Sequence, residues 1–76
     1  MPESLILITT EVGAGEKVYK EVREKPEIQK AALITGQYDV MAIARAEDME
    51  EIRKILMTEI RNIDGVRKTI TNVVIE

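Results

Sequence analysis

The chain has 76 residues, contains no cysteine and no histidine, and carries a formal net charge of −3 with acidic and basic residues mixed along its length. Disulfides, thiol catalysis, zinc sites and an imidazole base are therefore excluded, and we expect no cofactor and no metal. The charge pattern does not resemble a nucleic-acid-binding surface, and no apolar run could span a bilayer, so we expect binding to neither nucleic acid nor membrane. The first residues lack the features of a signal peptide, so we expect one cytoplasmic domain over residues 1–76.

The first half of the chain predicts a strand, a helix and a second strand. Residues 4–10 (SLILITT) are apolar on both faces, which is typical of a strand in the middle of a sheet. Two glycines within residues 13–15 mark a loop; a flexible helix entry is the simplest interpretation, and anion binding at the helix start is the alternative. Apolar residues every four positions then predict a helix over 16–25, which Pro26 ends, followed by a strand over 28–35.

The second half repeats this order. Residues 40–46 (VMAIARA) form a second nearly continuous apolar strand. Asp48, with a glutamate three residues later, has the spacing of a capping box and starts a helix that we expect to run over 49–62. A turn at 64–65 and a final strand over 66–75 complete the pattern.

Two βαβ halves offset by 38 residues predict an α+β, ferredoxin-like βαββαβ fold, with a four-stranded antiparallel sheet and two helices on one face. Right-handed crossovers place the first and third strands in the centre, and these are the two strands with continuous apolar runs. Two helices cover only one face, so the other face is left apolar and bare. We therefore expect the chain to dimerise through the sheet rather than remain a monomer.

A few residues are candidates for chemistry. Gly36 supplies the positive φ that a two- or three-residue hairpin connection needs. Asp39 is interpreted either as the residue that closes this hairpin or as a carboxylate in a cleft, and Tyr38 as a core aromatic. Thr69 and Thr71 project from one face of the last strand, either as ordinary strand formers or as two hydroxyls directed at one polar ligand.

The hairpin residues 35–39 (TGQYD), the helix end at 61–66 (RNIDGV) and the strand segment 69–71 (TIT) together resemble the C-terminal effector-binding domain of the Lrp/AsnC family, known as the RAM domain. The resemblance covers essentially the whole chain. It implies a homodimer formed through the sheets, assembly of dimers into an octameric or similar ring, and an amino acid effector bound in clefts between dimers. It also implies that the ligand is contacted by the following residues: Gly36, Gln37, Tyr38, Asp39, Thr69 and Thr71.

Full-length regulators of this family carry a helix-turn-helix domain before the RAM domain, whereas here the first strand starts at about residue 4. We therefore expect a stand-alone RAM protein that senses amino acids, co-assembles with full-length Lrp/AsnC regulators or acts on another partner. Two alternatives remain. One is a purely structural oligomerisation module, and the other is a small monooxygenase-type enzyme, which the absence of His and Trp disfavours.

Overall fold

The computed structural model describes residues 2–75. The six predicted elements are present in the predicted order, and their bounds are β1 (Glu3–Thr10), α1 (Gly15–Arg23), β2 (Ile28–Leu33), β3 (Val40–Arg45), α2 (Met49–Ile55, continued by a π-helical turn over Leu56–Ile60) and β4 (Val66–Val74). No helix within these residues is both long enough and apolar enough to cross a membrane.

The four strands form one antiparallel sheet in the order β2-β3-β1-β4. The prediction that the first and third strands are central is therefore confirmed, as is the ferredoxin-like fold. The register places Leu7 of β1 between Met41 of β3 and Ile70 of β4. Residues that are directly opposite one another share a face of the sheet, so this register decides which side chains the helices cover.

The helices cover the face to which the even-numbered residues of β1 point. The buried aliphatic side chains of the strands and helices form one core cluster on this face, and removing such surfaces from water is the main stabilising term of the fold. The apolar residues that are completely buried here are Ile6, Ile8, Val18, Val22, Val40, Ala42, Ala44 and Ile60.

The opposite face of the sheet has no helix above it and is apolar, as predicted. Its large side chains are only half-buried in the single chain. They come from three neighbouring strands and form one continuous patch, made of Leu5, Leu7, Met41, Ile43 and Ile70.

The second helix begins as expected and ends differently. The Glu51 amide donates to the Asp48 carboxylate at 2.9 Å, which confirms the predicted N-cap. The helix then widens, because the Arg61 amide donates to the Leu56 carbonyl five residues back, at 3.0 Å. The prediction of a single α-helix over 49–62 was therefore wrong for the last turn. An apolar stripe indicates which side of a helix is buried, and it does not distinguish α from π geometry.

The other predicted ends differ by one or two residues. The first helix ends at Arg23 rather than at residue 25, and the following turn is closed by the Lys25 amide, which donates to the Val22 carbonyl at 3.1 Å. The second strand ends at Leu33 rather than at residue 35. Such differences are common because helix and strand ends are decided by a few local hydrogen bonds.

Candidate functional site

The hairpin loop (residues 34–39) joins β2 to β3 at one end of the sheet. Its base is closed by the Ile34 amide, which donates to the Asp39 carbonyl at 2.9 Å. Gly36 adopts a φ of +107°, a conformation that side chains with a Cβ rarely take, so the predicted reason for glycine holds. The predicted connection of two or three residues was too short. The hydrogen bond between Ile34 and Asp39 is the last one between the two chain segments, and the four residues 35–38 form the turn beyond it.

Asp39 has a structural task inside the chain. Its carboxylate oxygen Oδ2 accepts a hydrogen bond from the Thr10 amide at 2.8 Å, and its own amide donates to the Ile8 carbonyl at 2.9 Å. Thr10 lies where the β1–β4 register shifts at a bulge, and a bulge leaves a residue out of the regular ladder. Asp39 therefore supplies an acceptor for this amide and fastens the hairpin loop to the end of β1.

The hairpin loop also offers backbone hydrogen-bond donors and one free carboxylate oxygen. Within residues 2–75, the backbone amides of the turn make no hydrogen bond to protein, and the second oxygen of Asp39, Oδ1, makes neither a hydrogen bond nor an ion pair. The four amides belong to Thr35, Gly36, Gln37 and Tyr38. Gln37 is exposed and Tyr38 is half-buried outside the core, so the interpretation of Tyr38 as a core aromatic was wrong; Tyr19 of α1 is the aromatic that packs against the core.

Thr69 and Thr71 lie on the helix-covered face of β4. The register pairs Thr69 with Ile8 and Thr71 with Ile6, and both isoleucines are completely buried on that face. The Thr71 hydroxyl is buried and has no hydrogen-bond partner among the described residues. A buried hydroxyl without a partner is uncommon in proteins, because the group has lost its contacts with water.

A single chain does not bring Asp39 together with the two threonines. Asp39 bonds Ile8 from the β3 side of β1, whereas Thr69 pairs with Ile8 from the β4 side. Two strand spacings therefore separate their backbones, which corresponds to about 10 Å. The candidate residues lie at one end of the sheet and flank β1, and they form two groups rather than one cluster.

Sequence reasoning missed a neighbour of the hairpin loop. The β1–α1 turn (Glu11–Ala14) leaves β1 directly after Thr10, and its first amide, that of Glu11, donates to the Gly65 carbonyl at 2.8 Å. The glycines correctly indicated a loop here. They carried no signal that this loop lies beside the hairpin loop, because that proximity depends on the order of the strands.

The structure also contains an open cavity of about 690 Å³ along α2. Most of its lining side chains are charged, and none belongs to the hairpin loop or to β4, so we interpret it as a solvated groove. Within residues 2–75, no group of three or more acidic side chains is placed to hold a metal ion. The residues that line the groove are Glu27, Asp48, Glu50, Glu51, Arg53, Lys54, Ile55, Met57 and Glu59.

Known proteins resemble this chain in both sequence and fold. The Leucine-responsive regulatory protein of Haemophilus influenzae is 34% identical over 79 residues, a match that covers 99% of this chain and 48% of that protein. A solved structure from Thermus thermophilus superposes with a TM-score of 0.94 at 25% identity and covers 100% of this chain and 95% of that one. A transcriptional regulator of Neisseria meningitidis, solved in complex with L-Met, superposes with a TM-score of 0.87 at 18% identity and covers 99% of this chain and 50% of that one.

The chain spans about half the length of the regulators that it matches in sequence. The family model described as the Lrp/AsnC ligand binding domain matches residues 3–76, which is nearly the entire chain. The chain therefore belongs to the Lrp/AsnC ligand-binding domain family.

Proposed function

We propose that this chain binds a free amino acid as an effector, without catalysing a reaction on it, and that the site is completed by assembly with further copies. The observation that carries the proposal is the hairpin loop, which offers free backbone amides beside a half-buried carboxylate with one free oxygen. A free amino acid needs both kinds of group. Its ammonium pairs with a carboxylate, and its carboxylate accepts from amide donors.

A site shared between copies agrees with two further features. The first is the separation of Asp39 from Thr69 and Thr71 by β1, so that one chain does not gather the candidate residues around a compact ligand. The second is the bare apolar face of the sheet, which an isolated chain exposes to water at a free-energy cost. Dimerisation of two sheets face to face covers this surface, and a ring of dimers then places one hairpin loop against another copy.

The role that we propose in the cell is regulatory. The relatives in sequence are named as regulators, and this chain corresponds to about half of each. The apolar sheet face gives a route by which the chain co-assembles with longer members of its family, since the same face is expected in a partner of the same fold. The absence of any histidine or cysteine agrees with a binding role rather than a catalytic one.

The experiment is isothermal titration of the purified chain with each of the twenty amino acids, including L-Met, the ligand in the Neisseria meningitidis structure. The informative variant is Asp39→Asn, which removes the negative charge and keeps an oxygen that accepts from the Thr10 amide. Because a hydrogen bond to a charged group contributes about 1.5–3 kcal/mol, we expect binding to weaken roughly 10- to 100-fold.

The matched control is Asp64→Asn, which removes the same charge from a turn at which the aspartate side chain is 97% exposed. We expect this variant to bind like the wild type. The proposal is wrong if no amino acid binds at millimolar concentration, or if Asp39→Asn binds as tightly as the wild type.

The second candidate function is assembly alone, and the bare apolar face is the observation that favours it. Such a module associates through its sheets without an effector. The same titrations separate the two candidates, because a pure assembly module gives a stable oligomer and no heat with any amino acid.

A further inference from the structure

The β1–α1 turn (Glu11–Ala14) displays an aliphatic side chain that the fold does not use. The Ala14 amide donates to the Glu11 carbonyl at 2.9 Å, and Gly13, the third residue, has a φ of +82°, as in a type II turn. Val12 occupies the second position and has a relative exposure of 103%, the highest of any large apolar side chain in residues 2–75. This position favours proline and does not call for an aliphatic side chain.

The turn is fixed at its base to the hairpin loop. The Thr10 amide, immediately before the turn, donates to the Asp39 carboxylate at 2.8 Å, and the Glu11 amide donates to the Gly65 carbonyl at 2.8 Å. Val12 is therefore two residues from a direct bond to the carboxylate that we assign to the effector ammonium. The backbone on either side of Val12 is held by hydrogen bonds, from the Thr10 and Glu11 amides before it and from the Ala14 amide after it.

A second exposed aliphatic side chain flanks the hairpin loop. Leu33 ends β2 directly before the loop and is 49% exposed, and its Cδ2 atom lies 3.7 Å from where a Cβ of Gly15 would be. The start of α1 and the end of β2 therefore meet at this side chain. Glu11, which precedes Val12, lies with its carboxylate 3.9 Å from the Arg67 guanidinium, so each of these charges already has a counterpart within the chain.

We propose that Val12 is a specificity-determining residue of the effector site, where it contacts the side chain of the bound amino acid and selects aliphatic side chains over charged ones. The proposal rests on the proposed function. The hairpin loop holds the ammonium and carboxylate that all amino acids share, so discrimination between effectors must come from groups beside it. Val12 follows the residue pair that bonds the turn to the hairpin loop and to Gly65, and its side chain is fully exposed within residues 2–75.

The test measures binding of L-leucine and L-alanine by titration calorimetry to the wild type, Val12→Ala and Val12→Asp. Removal of two methyl groups from an apolar contact predicts roughly tenfold weaker binding of leucine by Val12→Ala, with alanine binding changed less than about twofold. Val12→Asp is expected to bind leucine more weakly still. The matched control is Met57→Ala, which shortens an apolar side chain that is 50% exposed on the π-helical turn and lines the solvated groove, to which no hairpin-loop residue contributes; it should bind both amino acids like the wild type.

The possible failures are distinct. A wild-type chain that binds neither leucine nor alanine nor any other amino acid overturns the proposed function and this inference with it. A wild-type chain that binds leucine, with an unchanged leucine-to-alanine affinity ratio in Val12→Ala, overturns the role of Val12 and leaves the proposed function standing. Circular dichroism of each variant establishes that the comparison is made between folded chains.

Discussion

Gly65 is the position at which a single added methyl group should be most damaging. It follows α2 and precedes β4, with a φ of +101°, and an ideal Cβ on it would lie 2.9 Å from the Ala14 Cβ and 3.2 Å from the Val18 Cγ2 atom. Gly65→Ala therefore carries two penalties. The left-handed backbone costs about 1–2 kcal/mol, and overpacking against α1 costs about 1–3 kcal/mol more.

The matched control is Gly36→Ala. Its φ of +107° is nearly the same, but a Cβ there meets nothing within 4 Å. This variant carries only the backbone penalty, so we expect a loss of about 1–2 kcal/mol, against about 2–5 kcal/mol for Gly65→Ala. The difference between the two variants is then the free energy of the clash with α1.

The assay is urea denaturation followed by circular dichroism, at one fixed protein concentration because the association that we propose would make stability depend on concentration. Adding Ala14→Gly to Gly65→Ala removes the closer contact and should recover part of the difference, as measured by a double-mutant cycle. The explanation fails if Gly65→Ala and Gly36→Ala lose the same free energy within about 0.5 kcal/mol, since the clash would then contribute nothing measurable.

Three further predictions concern the other contacts described above. Asp48→Ala removes the N-cap of α2 and should cost about 1 kcal/mol in urea denaturation; an unchanged midpoint would show that the cap is dispensable. Asp39→Ala leaves the Thr10 amide without its acceptor and should lose about 1–3 kcal/mol, whereas Asp39→Asn keeps an acceptor and should lose less, so equal losses would contradict the role of this bond. Leu7→Lys puts a charge in the middle of the bare sheet face and should shift the chain toward monomer in sedimentation velocity. Gln29→Lys adds the same charge at an exposed position of β2 and should cause no such shift. Identical sedimentation profiles of the two variants would argue against assembly through the sheet.

Part of the candidate site follows from sequence and part does not. The glycine of the hairpin loop is predictable, because the need for a positive φ between two antiparallel strands is a local property. The length of the loop was underestimated, and the bond from Asp39 to Thr10 could not be foreseen. That bond joins residues 29 positions apart, and it exists only because β3 and β1 are neighbours with a particular register.

The sequence by itself determined the type and order of the six elements, the two central strands, the cap at Asp48 and the bare apolar face. These follow from side-chain periodicity, capping chemistry and the handedness of βαβ crossovers, which are local or apply to all chains. The tertiary structure alone decided that β1 separates Asp39 from Thr69, that Gly65 packs against Val18 of α1, and that Thr10, at the base of the β1–α1 turn, bonds to Asp39 of the hairpin loop. Each of these depends on which strands are neighbours and in which register, and register is set by packing of the whole core rather than by any short stretch of sequence.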